Sequence, residues 1–441
     1  VLRRHPAVAG ALVSARETDT CERSLVAYIV PSEPGAATAD ELRRFLAEQL
    51  PAAMMPAAFV TLAEFPLAPN GKVDRRALPA PEQARPELEV GFVLPMGESE
   101  EQLAAVWSEV LGIGEIGATD DFFALGGDSF KAMRIVRKAG GSLRVVDLFQ
   151  NPTIRGLARV LSGTHQPEDG VLHRLTRPAG KESLHLVCVP YGGGSAIVYQ
   201  PLAAALPDGF VVSAVALPGH DVGRPHEPLA PLDVVTLACV EEIRRRSDLP
   251  VVVYGHCLGV ALAVEIARLL EEESSLELRA VFLSGAYPPR RKRSLLASVL
   301  GRAPLYSLDT DAEIHAGLKA LGGFEGLDDP AEIEFVMRSF RHDGRCFEEF
   351  FQRESIQPGG RKIKAPVFCV IGNRDPLTAG YGRGYRRWEW FAETVELVVL
   401  EGGGHYFIKH RAAELAQRIV ARVGAEPGRF ERQAEPAAQR R

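Results

Sequence analysis

Cys257 lies between two glycines in VVVYGHCLGVALAVEIARLL (251–270), where an apolar strand-like run turns abruptly into a helical pattern. A residue on so sharp a turn is presented at the end of the strand, and Gly255 and Gly259 leave room for strand and helix to close around it. Taken alone, a cysteine after a strand is a small buried hydrophobe. The glycine-flanked turn points instead to a nucleophile, which needs a base and a group to orient that base. IGNRDP (371–376) follows a later strand-like run and offers Asp375, while EGGGHYF (401–407) follows the next and offers His405. An imidazole can take the thiol proton, and a carboxylate can fix its tautomer. Glu401 is the substitute carboxylate. CVPYGGGSA (188–196) is a glycine-rich strand end, and either simply that or a source of backbone N–H groups for an oxyanion. The expected donors are Gly192, with Tyr191 close behind, and Leu258. By strand alternation His256 points away from Cys257. His185, His220 and His342 read as structural or exposed.

Two further positions carry chemistry. DDFFALGGDSFKAM (120–133) sets Ser129 after two glycines at a helix start, which suits a helix cap or an attached phosphate. PNGKVDR (69–75) puts Lys72 on an Asn-Gly turn, a solvated hairpin tip on physical grounds alone.

The elements that must position these residues fall into three segments. The first, residues 1–79, alternates strand and helix, with strands at LVAYIV (25–30) and AAFVTLAEFP and a helix in ATADELRRFLAEQLP. A proline-rich linker (80–97) leads to a helical segment (98–162). A second linker (163–180) leads to residues 181–425, where LHLVCVP, FVVSAVALP, VVVYG, AVFLSG, PVFCVIG and VELVVLEG alternate with helical stretches. Six such strands imply a mostly parallel sheet covered on both faces. The tail (426–441) has disordered composition. The 441 residues are 46% hydrophobic and 24% charged, with net charge −6, which excludes collagen, coiled coil and a basic nucleic-acid binder. Six cysteines without tight spacing form neither a disulfide framework nor a metal site. No apolar run is long enough for a bilayer. With no signal peptide and no initiator Met, the chain is expected to be cytoplasmic and to begin inside a longer polypeptide.

These motifs carry three resemblances. PNGKVDR, with LPAAMMP (50–56), resembles the end of nonribosomal-peptide adenylation domains, although an aromatic is usual where Ala53 stands. It implies that Lys72 is the adenylation lysine; only the C-terminal subdomain is matched, so no adenylation is expected from this chain alone. DDFFALGGDS with DLFQNPTIRGLA resembles a peptidyl carrier protein, implying 4′-phosphopantetheine on Ser129. RKAGGSL (137–143) is shorter than usual there, so the third helix should start abruptly. VPYGGG, LPGH (217–220), GHCLG, SGAYPP (284–289), NRDP and GGGHYF together resemble an α/β-hydrolase thioesterase. That resemblance implies a Cys257–His405–Asp375 triad, an oxyanion hole at Leu258 and Gly192, and a lid over about 287–363. Integrated thioesterases often carry the acid near the position of Gly285; Asp375 matches the stand-alone editing enzymes, and a cysteine nucleophile matches a minority of offloading ones.

The expected architecture is multidomain: a small α+β subdomain, a helical bundle, and an α/β-hydrolase domain. The order resembles the end of a nonribosomal peptide synthetase. Its implied partners are upstream condensation and adenylation domains, a phosphopantetheinyl transferase and a peptidyl thioester, with no nucleic acid, membrane or metal. Release by cyclisation or aminolysis is the expected activity. Hydrolytic release or editing of mis-acylated carrier is the alternative, and a non-catalytic docking module is the third reading.

Overall fold

The computed structural model describes residues 1–17, 23–33, 41–42, 45–46, 55–56, 58–67, 73–75, 77–78, 91–127, 129–140, 143–163, 170–176, 180, 182–272, 276–289, 308, 310–324, 326–356 and 361–424. The first unit is a three-stranded sheet of β1 (Val8–Glu17), β2 (Arg23–Pro31) and β3 (Ala58–Thr61), with β1 antiparallel and β3 parallel to β2. β2 explains its stability. Its alternate residues feed two small cores, Ala27 and Ile29 packing with Leu42 and Leu46 on one face and Val26 and Tyr28 with Leu78 on the other. The long β1 was not anticipated, because its alternation is interrupted by Gly10 and small alanines. Leu67 and Val73 form an isolated antiparallel bridge. Lys72 lies outside the described residues.

Four helices form the second unit: α1 (Glu98–Leu111), α2 (Ser129–Ala139), α3 (Val145–Gln150) and α4 (Ile154–Leu161). Leu103, Trp107, Phe122, Ile135, Leu148 and Leu157 fill its centre. The buried Arg144–Asp147 pair, 2.8 Å apart, closes the first turn of α3. The Thr153 hydroxyl accepts the Gly156 N–H and starts α4.

The third unit is a seven-stranded sheet in the order β10-β9-β8-β7-β5-β6-β4, one strand more than expected. The strands are β4 (Leu172–Arg174), β5 (Leu184–Val189), β6 (Phe210–Val215), β7 (Val251–His256), β8 (Leu278–Ser284), β9 (Val367–Gly372) and β10 (Val395–Leu400). All neighbours are parallel except β4, which pairs antiparallel with β6. β4 falls in the stretch read as linker, since three residues are too few to show a period. β5, β7 and β9 are apolar on both sides because helices cover both faces. Of these, α5 (Gln200–Ala205) and α10 (Ala412–Val423) lie on one face, while α6 (Leu232–Arg246) and α7 (Val260–Glu272) lie on the other.

Within the expected lid stand α8 (Asp311–Ala320) and the 27-residue α9 (Pro330–Ile356). α9 has two roles. Val336, Met337 and Phe340 in its first half pack with Tyr191, whereas Phe350 and Phe351 join Trp388 and Phe391 in the opposite core. Its second half is therefore part of the domain body.

The second and third units share buried surface. Ile197 and Val222 of the third complete the apolar centre of the helical bundle. The Arg137 guanidinium forks onto Asp329 at 2.9 and 2.8 Å, and Val145 N–H reaches Asp221 at 3.3 Å.

One titration follows from the sheet. His185 on β5 is buried and 2.9 Å from the Ser213 hydroxyl on β6; burial, helped by Arg174 and Arg246, pushes its pKa down to about 4. The unfolded value is near 6.5, so neutral His185 contributes stability above that pH, lost as pH falls from about 6.5 towards 4. Thermal melts of His185→Gln at pH 7.5 and 4.5 should show a smaller acid loss than the unsubstituted chain; an equal loss would place the acid sensitivity elsewhere.

Candidate active site

β5 and β7 are adjacent parallel strands, but the chain leaves them towards opposite edges, to β6 and to β8. Their following loops diverge and open a crevice at the carboxyl ends of the strands. After β7 the chain makes one tight turn, Cys257–Gly259, and enters α7. Cys257 has φ of 54°, a left-handed conformation that strains a residue with a Cβ. Close packing enforces it: a Cβ on Gly259 would strike the Pro190 carbonyl oxygen, and one on Gly255 would lie 2.6 Å from the Ala263 methyl. The first-turn N–H groups behind Cys257, Leu258 among them, lack carbonyls one turn back.

Asp375 and His405 follow β9 and β10. The Asp375 carboxylate accepts the Leu377 N–H at 2.9 Å, and its Oδ2 lies 2.9 Å from His405 Nδ1, with both side chains almost wholly buried. Burial raises the Asp375 carboxyl, but the His405 hydrogen bond and charge hold it below the usual range. Burial opposes a charge on His405 too, yet Cys257 and Asp375 between them lift its pKa to about 10. Its Nε2 is buried and meets no hydrogen-bond acceptor among the described residues. The pair is thus an oriented base with one nitrogen spoken for and the other turned into the site. Glu401, the substitute carboxylate, is exposed and bonded to Asn373. Gly285 stands beside the imidazoles with no carboxylate; a Cβ there would be 3.0 Å from His256 Cε1 and 3.4 Å from His405 Cε1.

His256 belongs to the site more closely than its alternation suggested. Its ring centroid is 5.4 Å from that of His405, and its Nδ1 is 2.7 Å from the Ser284 hydroxyl, which reaches the Tyr254 hydroxyl at 2.7 Å. Burial, and then the neighbouring His405, push its pKa down to about 3. The positive charge therefore resides on His405. Period-two alternation reported which side of β7 His256 occupies, but not that the loop bearing His405 closes over that side.

In the glycine-rich loop after β5, Gly194 N–H turns back to the Tyr191 carbonyl at 2.8 Å and Gly193 N–H goes to Asp343 at 2.8 Å. Tyr191 packs edge-on against Phe324 and Tyr406. Of the remaining histidines, His220 is buried and His342 bonds the Ala230 carbonyl at 2.9 Å.

Ser129 opens α2, and the next residue, Phe130, packs against the hydrolase core. The Lys409 ammonium lies 5.9 Å from the Phe130 ring, 5.9 Å from Phe324 and 5.3 Å from Tyr406. One cation thus joins the neighbour of Ser129 to the neighbour of His405. Among the described residues, no cluster of His, Cys, Asp and Glu could hold a metal, and no helix is long and apolar enough to cross a membrane.

Three family models match in chain order: the AMP-binding enzyme C-terminal domain over residues 1–72, the phosphopantetheine attachment site over 101–161, and the thioesterase domain over 184–423. The chain is 33% identical over 352 residues to the dimodular nonribosomal peptide synthase of Bacillus subtilis (strain 168), covering 78% of this chain and 14% of that protein. It is 32% identical over 286 residues to surfactin synthase subunit 3 of the same organism, covering 64% and 21%. Tyrocidine synthase 3 of Brevibacillus parabrevis is 45% identical over 169 residues, 37% of this chain and 3% of that protein. The chain thus spans at most 21% of the length of these relatives. Among solved structures, the type II thioesterase BorB from the borrelidin biosynthetic cluster is similar with a TM-score of 0.48 and 25% identity, over 59% of this chain and 100% of that one.

The His405–Asp375 bond sets its own test. Asp375→Asn removes the anion that holds the imidazolium, so the His405 titration, followed by NMR, should move down by roughly one unit or more. An unmoved titration would mean that the carboxylate does not support that charge.

Proposed function

The chain belongs to the thioesterase family, and from that premise we propose that it is the closing part of a nonribosomal peptide synthetase, which releases a peptidyl chain from its own carrier. The observation that carries this reading is Lys409, shared by Phe130 beside Ser129 and Tyr406 beside His405. It supports delivery of a carrier-bound thioester into the crevice that holds Cys257.

The attachment-site match supports 4′-phosphopantetheine, which we assign to Ser129 as a thiol arm that presents the acyl group as a thioester. The chain's own residues supply the rest. With the Cys257 proton held on His405 Nε2, the sulfur attacks the thioester carbonyl. Leu258 and Gly192 N–H groups stabilise the oxyanion. His405 returns the proton to the leaving thiol, and Cys257 holds the acyl group. His405 then deprotonates the incoming nucleophile, which displaces the Cys257 sulfur from the acyl group, releases the product and leaves the proton on His405 as at the start. Asp375 keeps the imidazole in the required tautomer throughout.

Sulfur at position 257 supports a particular outcome. An acyl-cysteine is itself a thioester, so the chain keeps the activation it had on the carrier. Retained activation suits a strained lactone or lactam, a macrocycle, or an amine that must outcompete water. Cyclisation or aminolysis is therefore the release we assign. Asp375 after β9, with only Gly285 at the other acid position, favours a second reading, hydrolytic editing of mis-acylated carrier. Upstream condensation and adenylation domains and a phosphopantetheinyl transferase complete the proposed partners. Lys72 would serve adenylation only together with an upstream ATP-binding portion.

Incubation with a phosphopantetheinyl transferase and coenzyme A should add one prosthetic mass, absent in Ser129→Ala; labelling elsewhere would refute the assignment. Cys257→Ser, given the native carrier-bound chain, should shift release towards linear acid or stall as an acyl-serine visible by mass. Unchanged product at an unchanged rate would sink the case for cyclisation.

A further inference from the structure

A second buried histidine–carboxylate pair stands beside the crevice, outside the mechanism above. Its members come from separate elements. His220 lies in the LPGH stretch after β6, and Asp343 lies near the middle of α9. His220 Nε2 is 3.0 Å from both Asp343 oxygens, and its Nδ1 is 3.1 Å from the Pro218 carbonyl. Both ring nitrogens face acceptors, an arrangement that a doubly protonated ring satisfies. Burial opposes that charge, but Asp343 outweighs it and the His220 pKa is raised. The pair is nearly buried, with side chains only 4% and 13% exposed.

The Asp343 carboxylate has a third partner: its Oδ2 accepts the Gly193 N–H at 2.8 Å. Gly193 has φ of 67°, and a Cβ there would lie 3.2 Å from the Val336 carbonyl oxygen on α9. A Cβ on Gly192 would collide with the Leu258 side chain and lie 3.0 Å from Phe340. The two-glycine loop is thus clamped between the turn bearing Cys257 and the first half of α9. Because the Gly193 N–H is committed to Asp343, it cannot serve an oxyanion. The N–H groups left to converge on the carbonyl oxygen are those of Gly192 and Leu258.

We propose that Asp343 is a positioning residue: held by the His220 ring, it anchors Gly193 and so aims the Gly192 N–H at the oxyanion. The oxyanion hole is then complete only while the first half of α9 is seated on the loop. This inference rests on the reading of Cys257 as the nucleophile, and its test separates the two.

Two reactions of Cys257 in the full-length chain differ in what they need. Acylation by a short peptidyl thioester of N-acetylcysteamine needs nucleophile, base and oxyanion hole. Alkylation by iodoacetamide needs only the nucleophile and its base. Both are followed by the mass of the Cys257 peptide. Asp343→Ala should slow acylation by roughly 10–10²-fold, in the maximal rate and not in the half-saturating concentration, and leave alkylation unchanged. His220→Gln keeps a donor towards Asp343 and should hold acylation within a few-fold of normal. Asp343→Ala leaves the buried His220 ring without its carboxylate, which can impair folding. The double substitution Asp343→Ala with His220→Gln removes that ring, and should still acylate slowly with a normal melting temperature. Normal acylation in the double variant would overturn the proposal, as would an equal loss of acylation and alkylation. If the unsubstituted chain is alkylated but never acylated, the nucleophile reading fails and takes this inference with it.

Discussion

Everything in the hydrolase unit answers to one strained residue. Cys257 sits at φ of 54°, a conformation that costs on the order of 1–2 kcal/mol for a residue with a side chain. The surroundings hold it there. β7 is buried along its full length, α7 is anchored by Val260, Ala263, Val264, Ile266 and Ala267, and the Pro190 carbonyl leaves no room behind the turn for anything but Gly259.

Electrostatics then divide the labour among neighbouring imidazoles by surroundings, since their chemistry is the same. His405 has a carboxylate at one nitrogen and is charged; His256 has a hydroxyl and is neutral; His220 has a carboxylate and a carbonyl, which favour its charged form. Two adjacent buried cations would repel strongly, and only the His256–His405 pair is in ring contact. The neutral ring is therefore the one beside the base, where it packs against His405 without competing for the proton.

How much of this was legible in the sequence depended on the range of the interaction. The turn at Cys257 was legible because strand, glycines and helix are contiguous. Asp375 and His405 were legible because each follows its own apolar run, and the parallel sheet brings such ends together. The structure places both side chains in one hydrogen bond. β4 escaped notice, being short and held mainly by its antiparallel partner. The double role of α9 escaped as well: a 27-residue amphipathic pattern shows that a helix is half-buried, but not that its two halves bury against different cores. Asp343 and Lys409 gave no local signal at all. Each is a single charge on a polar stretch, and its meaning comes from elements far away in the chain.

The contact between the helical bundle and the hydrolase unit is mixed. It includes Ile197 and Val222 under the bundle, Phe130 and Met133 against the hydrolase core, the forked Arg137–Asp329 ion pair, Arg134 at the Gly326 carbonyl and a few backbone contacts. An exposed ion pair of this kind contributes about 1 kcal/mol or less. Only ten residues, 162–171, join α4 to β4. A tether so short gives an effective concentration on the order of millimolar, so a surface with a millimolar dissociation constant is occupied about half the time. Weakness is then a kinetic virtue. In the proposed function, a contact of that strength lets the carrier leave within a turnover, whereas a tighter grip would convert a shuttle into a permanently closed pair of domains.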